Sequence, residues 1–565
     1  MAISCTYVSM FNYRWLSINA FIFILTCFVN VTGQEIELKQ EKATELLSER
    51  GEIIIRFRKP ESLSLEVINL YLSIDNFDND TITAYANATG FEWFTRQAIP
   101  FKIIDPPSLK MHLKSSGLYV PAYPTYSEYV NLMNSFVRDY PDICTISEFG
   151  TSVDGRKLLA IKITDEPAVK ENEPVLLYSA TMHGDEPLGF VLMLKLIRYL
   201  LEDYPTDPLI RELINNTEIW INPLANPDGA YFVSDTSIYG AKRFNRNNID
   251  LNRDFPRISL LNPDTSNLQP ETRYMINLMK RINPTLAANF HGGAEVVNYP
   301  WDSWAKDHPD RSWYRKISRA YVDTVHAHAP AGYMTFGDDG ITRGVDWYQV
   351  NGGRQDYVNY YLYGREVTIE LSNDKIPPDS EIENYWNYNR RSLIRYIAAA
   401  HTGFRGSVTD SSSGEAVIAN IRVNDHDRDN SFVFSDEAGY YFRLIDEGIY
   451  EVEISAPGYK DKVILVSVPK DGVTRVDAEL EKDFDLRIYP NPFRDKIKLI
   501  IPFTGNTLKI TFIDVSGRKV KIIEYPVTYS GEHEIPVKNL SPGYYIIRIS
   551  NGNQTRQFKA IRSPE

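Results

Sequence analysis

The stretch VLLYSATMHGDEPLGFVLMLKLIRYLL (175–201) decides the fold class. Its first six residues form a continuous apolar run of strand length. Leu188 to Leu201 is an apolar run long enough for a buried helix. A buried strand leading into a buried helix is half of a βαβ unit. Between them stands His183-Gly184-Asp185-Glu186. A His and a Glu three residues apart at a strand end can converge on one metal, but the same spacing also describes an ordinary surface loop.

Outward from this stretch the alternation continues. LLAIKIT (158–164), EIWINP (218–223), TLAANFH (285–291) and REVTIEL (365–371) read as strands; Tyr126 to Arg138 and Tyr385 to Ala400 have helical periodicity. Residues 117–402 are therefore expected to form an α/β domain, a mixed β-sheet flanked by helices. Ligands of such sheets bind beyond the carboxyl ends of strands, where the polar motifs of this region fall.

His291-Gly292-Gly293 ends one of these strands, and the glycines let the backbone turn or approach a ligand closely. With His183 and Glu186, His291 makes a His2Glu set that leaves a fourth position for water, the layout of a catalytic zinc. RFNRNNIDLNRDF (243–255) supplies Arg243, Arg246, Asn252 and Arg253, a set suited to carboxylates or simply a solvated loop. Glu370 lies between apolar neighbours in a strand, so it faces either solvent at a sheet edge or a metal-bound water. HAH at 326–328 could bind a metal, but no carboxylate or cysteine stands at ligand spacing; His308, His326 and His328 read as core or solvated side chains, and His401 as structural.

Composition narrows the options. The 61 basic and 74 acidic residues give a net charge of −13, with no long basic cluster, which argues against a nucleic-acid partner. Of three cysteines, Cys5 and Cys27 lie in the N-terminal segment, leaving Cys144 alone, so neither a disulfide nor a cysteine zinc site is expected. Arg14 precedes the apolar run Ile18 to Val31, the layout of a signal peptide over 1–33. No later stretch is long and apolar enough for a transmembrane span, so a secreted or cell-surface protein is expected.

The flanks differ from the centre. Residues 35–115 read as a small α/β module in the order βαβαβ: strands at 52–57, 81–87 and 100–105, helices at 64–72 and 91–98. Residues 403–482 and 483–565 carry short alternating strands with turn signals, which predicts two β-sandwich domains.

Taken together, HGDE (183–186), NPDG (226–229), DLNRDFP (250–256), FHGGAEVVNYPWD (290–302), WYQVNGGRQDY (347–357) and EVTIEL (366–371) resemble the zinc metallocarboxypeptidases, most of all their carboxypeptidase N/E, or regulatory, branch. The resemblance covers about 117–402. It implies one Zn2+ held by His183, Glu186 and His291, Glu370 as general base and Arg243 as the arginine that polarises the scissile carbonyl. It further implies that Asn252 and Arg253 grip the substrate's terminal carboxylate and that Tyr348 closes over the bound residue. Asp302 and Gln355 match the positions that bind a basic side chain, which implies a preference for C-terminal Lys or Arg on peptides or proteins. One departure is Arg354, where that branch has Met: a guanidinium pointing inwards would repel a basic side chain, with Asp346 near in sequence to offset it.

Residues 403–482, with GSVTDSSSGEAVIANIRV (406–423) and EAGYYFRL (437–444), resemble the transthyretin-like regulatory domain of the same branch. Residues 483–565, with YPNPF (489–493), IDVSGRKV (513–520) and LSPGYYIIRI (540–549), resemble a type IX secretion sorting domain, which implies secretion machinery as a partner and bacterial outer-membrane export. The module at 35–115 is expected to be a pro-segment or an accessory domain. The competing expectations are a carboxypeptidase of cell-wall peptides and a non-catalytic surface binding protein that has kept the fold.

Overall fold

The computed structural model describes residues 41–110, 123–258, 263, 265–483, 486–552 and 554–564. The expected signal segment, with Cys5 and Cys27, lies outside the described residues.

The N-terminal module is a four-stranded antiparallel sheet of β1 (Ile53–Arg58), β2 (Ser73–Asp78), β3 (Thr81–Ala86) and β4 (Phe101–Ile104), in the order β2-β3-β1-β4. Helices Leu65–Asn69 and Ala88–Arg96 pack with it, and residues 41–50 are helical. The sequence reading expected three strands; β2 is the one it missed. Asn79 and Asp80 both adopt left-handed φ (46° and 61°), the two-residue turn that joins β2 to β3 as a hairpin. The helix ends at Asn69, because the chain is needed as a strand from Ser73 on. The pairing of β2 with β3 slips between Ile74 and Asn76, leaving Asp75 as a bulge.

The central domain is built on an eight-stranded mixed sheet. Its strands are β5 (Cys144–Thr151), β6 (Lys157–Ile163), β7 (Val175–Ala180), β8 (Glu218–Asn222), β9 (Leu286–His291), β10 (Ala294–Tyr299), β11 (Ile341–Arg343) and β12 (Arg365–Ser372). The order is β11-β10-β12-β9-β7-β8-β6-β5, with parallel pairing through β12, β9, β7 and β8. Side chains alternate across the sheet. Val367, Ile369 and Leu371 of β12 and Leu286, Ala288 and Phe290 of β9 enter the main core with the helices Leu188–Asp203, Arg311–His326 and Ile382–Ala398. The opposite face of the same two strands carries the polar series Glu366, Thr368, Glu370 and Asn289, His291. The fold thus places polar side chains in the middle of a sheet, at the ends of its parallel strands.

Residues 403–480 form two packed sheets, of four strands each, around a core including Phe404, Ile421, Val452 and Ile454. Residues 487–562 form a second pair, of three and four strands, around Phe493, Ile497, Phe512 and Ile547. The first sandwich is tied to the central domain by a buried ion cluster. Asp310 accepts from Arg443 at 2.9 and 3.1 Å and pairs with Arg365 at 2.7 Å, while Arg443 also reaches Asp427 at 2.6 Å.

Candidate active site

His183 and Glu186 follow β7 in a tight, buried turn, and His291 ends the neighbouring β9. His183 Nδ1 lies 3.0 Å and His291 Nδ1 2.9 Å from Glu186 Oε2, and the two Nδ1 atoms are 3.0 Å apart. Two imidazole nitrogens and a carboxylate oxygen at one point form an electron-rich pocket suited to a cation. His183 Nε2 is oriented by Asp250 at 3.1 Å, the carboxylate–histidine support that metal ligands require. Burial pulls His291 down to about 4, so its imidazole is neutral at neutral pH. Burial and Arg243 oppose charge on His183, but the Glu186 and Asp250 carboxylates outweigh them and favour a positive charge at this point. The donor set, its burial and its oriented histidine fit Zn2+. Gly293 follows at φ +113°, a turn that favours glycine.

Glu370 stands on β12 in register with His291, inside the sheet and not at its edge. Its Oε2 is buried without a hydrogen-bond partner, in the cavity that His183, Glu186 and His291 also line. Burial and the Glu186 carboxylate push Glu370 well above the usual carboxylate range, against the pull of Lys375. Arg243 donates from Nε to Asp250 at 3.0 Å and from Nη1 to Glu186 at 3.2 Å. Asn252, Arg253 and Tyr348 line the same cavity.

Asp302 lines the same cavity. Its Oδ1 accepts from Gln355 Nε2 at 2.8 Å and from Asn298 Nδ2 at 3.1 Å. Asn298 Oδ1 and Gln355 Oε1 are both buried without a donor. A carboxylate flanked by two orphaned amide oxygens calls for a ligand rich in N–H groups. A Cβ at Gly344 would lie 1.8 Å from Asp302 Oδ1, so only glycine leaves this carboxylate its place.

Arg354 does not enter the pocket. It is wholly buried behind it and pairs with Glu366 at 3.0 Å. Asp346 does not offset it: Asp346 pairs with Arg343, because the helical turn Gly344–Trp347 carries it outwards. Arg246 also stands apart, half-exposed and paired with Asp154 at 3.4 Å. His308 is buried with its ring tilted against Trp301, and His401 bonds to Thr217.

Sequence reasoning missed four side chains here. Asn298 and Asp250 lay within quoted motifs, each polar beside apolar neighbours. Lys375, at 2.6 Å from Glu186, and Asp75, from the N-terminal module, gave no local signal, because their partners are remote in sequence.

A mixed sheet with a His2Glu cluster at the ends of its parallel strands defines a metallohydrolase-type α/β domain. The family models and the curated relatives agree. Residues 129–392 match the zinc carboxypeptidase model, 403–481 the carboxypeptidase regulatory-like domain and 487–562 the secretion system C-terminal sorting domain. The carboxypeptidase N catalytic chain of Mus musculus is 34% identical over 403 residues, covering 65% of this chain and 87% of its own length. Carboxypeptidase D of Homo sapiens is 37% identical over 365 residues, covering 62% of this chain; the match spans about a quarter (26%) of that relative. Among solved structures, carboxypeptidase A from Helicoverpa armigera aligns with 62% of this chain and 98% of its own, at 17% identity and a TM-score of 0.47. The chain belongs to the zinc carboxypeptidase family.

Proposed function

We propose that this chain is a secreted, zinc-dependent carboxypeptidase that hydrolyses the C-terminal peptide bond and prefers Lys or Arg at that end. The observation that carries the specificity is the buried Asp302 carboxylate with the unpartnered oxygens of Asn298 and Gln355 beside it. Arg354, neutralised by Glu366, does not oppose a cation there.

His183, Glu186 and His291 would hold the zinc. When bound, it would supply Lewis acidity and a water whose pKa falls towards about 7. Glu370, with its free buried oxygen, takes the proton of the attacking water and passes it to the leaving nitrogen. Arg243 donates to the carbonyl oxygen as charge builds on it, a contribution of about 3 kcal/mol for one such donor. Asn252 and Arg253 take the terminal carboxylate, which restricts the enzyme to chain ends. Tyr348 covers the bound residue. Cell-wall peptides without a basic end do not require Asp302, and a mere binding protein does not require Glu370.

The match of residues 487–562 to a secretion sorting domain supports export, with 483–565 as the address and the secretion machinery as partner. Among the described residues no helix is long and apolar enough to cross a membrane. The test of the catalytic reading is Glu370→Gln: hydrolysis of a Lys-ended peptide falls by two or more orders of magnitude, and retention of the parental rate would refute the reading.

A further inference from the structure

Three consecutive residues open the helix Arg354–Tyr361, and each holds a different part of the cavity wall. The backbone N–H of Arg354, which has no acceptor within its own helix, donates to Asn252 Oδ1 at 3.0 Å. With its oxygen so occupied, the Asn252 amide keeps its Nδ2 donors for a carboxylate. Gln355 Nε2 donates to Asp302 Oδ1 at 2.8 Å. Asp356 accepts from the backbone N–H groups of Asp302 and Ser303 at 2.9 and 3.0 Å. Asn252, Gln355 and Asp302 thus hang on one turn of backbone, and a shift of that turn moves all three.

The Arg354 side chain holds the turn from behind. It is wholly buried, and its Nη2 donates to Glu366 Oε2 at 3.0 Å. Glu366 shares a face of β12 with Glu370, four residues on. Asn289 Nδ2 donates to the other Glu366 oxygen at 2.9 Å, so the carboxylate is gripped from two sides. Arg354 Nε and Nη1 are buried without an acceptor. A buried pair with two idle donors is a poor stabiliser, and apolar side chains of similar volume would hold the fold as well or better. Fixing one register of the turn against β12 is the task that this pair suits. Asn359, further along the helix, donates to the carbonyls of Gln355 and Glu366 at 2.8 and 3.0 Å, which keeps the body of the helix on β12 independently of Arg354.

We propose that Arg354 is a positioning residue: by clamping the first turn of its helix to Glu366, it sets Asn252 for the terminal carboxylate and Gln355 and Asp302 for the basic side chain, touching neither. The proposal rests on the carboxypeptidase reading above. Substrate binds in molecules whose turn is in register, so loosening the clamp lowers the apparent affinity by the fraction that has left it. Glu370, Arg243 and the metal-ligating side chains are held by other contacts, and the chemical step is spared. Such a residue acts on KM and leaves kcat in place.

The test uses the full zinc-loaded chain, its Arg354→Met and Arg354→Lys variants, and the double variant Arg354→Met with Glu366→Gln. Three quantities are measured: kcat and KM on an Arg-ended dipeptide, the affinity for free L-arginine by calorimetry, and Tm. Arg354→Met is expected to raise KM about tenfold, with kcat within about twofold of the parent and arginine binding weakened to match. Arg354→Lys still supplies the single donor that Glu366 uses, and should stay within about threefold of the parent. The double variant buries no lone charge, so its Tm recovers while its KM stays high. Should Arg354→Met not fold, the double variant carries the same test. A parental KM and arginine affinity in the double variant overturns the clamp, because a purely structural pair would be repaired by removing both charges. Arg354→Lys no better than Arg354→Met overturns it too. Weakened arginine binding in the Met variants with no hydrolysis in any form, the parent included, keeps the clamp and refutes the carboxypeptidase reading instead.

Discussion

Glu370 stands directly opposite His291 in the parallel pairing of β12 with β9. Partners in adjacent strands lie about 5 Å apart with side chains on the same face. One register thus fixes the buried carboxyl of Glu370 and the imidazole of His291 on one face of the sheet, without a loop to position either. The two substitutions are expected to separate. His291→Ala loses the metal itself, read as zinc content after dialysis. Glu370→Gln keeps zinc at one per chain and loses rate by about 100-fold or more.

The pocket end makes a second prediction. Burial and the neighbouring Asp356 push the Asp302 carboxyl above the usual carboxylate range, so an incoming cation is what holds its charge. Asp302→Asn leaves the cavity shape but removes that charge. Hydrolysis of Lys- and Arg-ended peptides should fall by about 3 kcal/mol, roughly a hundredfold in kcat/KM, with Phe-ended peptides nearly unaffected. Gly344→Ala should give the same pattern, because its Cβ would occupy the place of Asp302 Oδ1. Competition between Lys- and Phe-ended dipeptides measures both.

Asp310 and Asp427 predict how acid loosens the seam between the central domain and the first sandwich. Burial opposes charge on Asp310, but Arg443 and Arg365 hold it below the usual carboxylate range; Asp427 is likewise held down, chiefly by Arg443. For carboxyls depressed in the folded state, the stabilisation is complete above their unfolded values near 3.9. It is lost as pH falls through the lower folded ones. Asp310→Asn leaves Arg443 and Arg365 short of a partner and should cost about 3–5 kcal/mol at pH 7. Thermal unfolding at pH 7 and below pH 4 checks this: the gap between parent and variant narrows in acid.

Much of this was legible in the chain. The alternation of apolar strands with apolar helices specifies the α/β domain; His183 and Glu186 by themselves read as a surface loop, and only the ordered motifs taken together mark them, with His291, as a candidate metal set. What was not legible depends on partners far away in sequence. Glu370 in an apolar strand reads equally as an edge or a site residue until β9 and β10 are known to flank it. The direction of Arg354 is set by Glu366, and Asn298 matters only because Asp302 folds back on it. The hairpin of β2 and β3 was hidden because its turn, Asn79-Asp80, lacks the glycine that usually marks one. Asp75 is an ordinary surface aspartate in sequence, and a bulge in β2 sets it beside Arg243 and Lys375.

The most direct test of the account is hydrolysis of dipeptides ending in Lys, Arg, Phe or Glu, with and without a zinc chelator. The account predicts clear preference for Lys and Arg, abolished by the chelator and restored by added Zn2+. Preference for Phe would contradict the role of Asp302, and hydrolysis indifferent to the chelator would contradict the metal site itself.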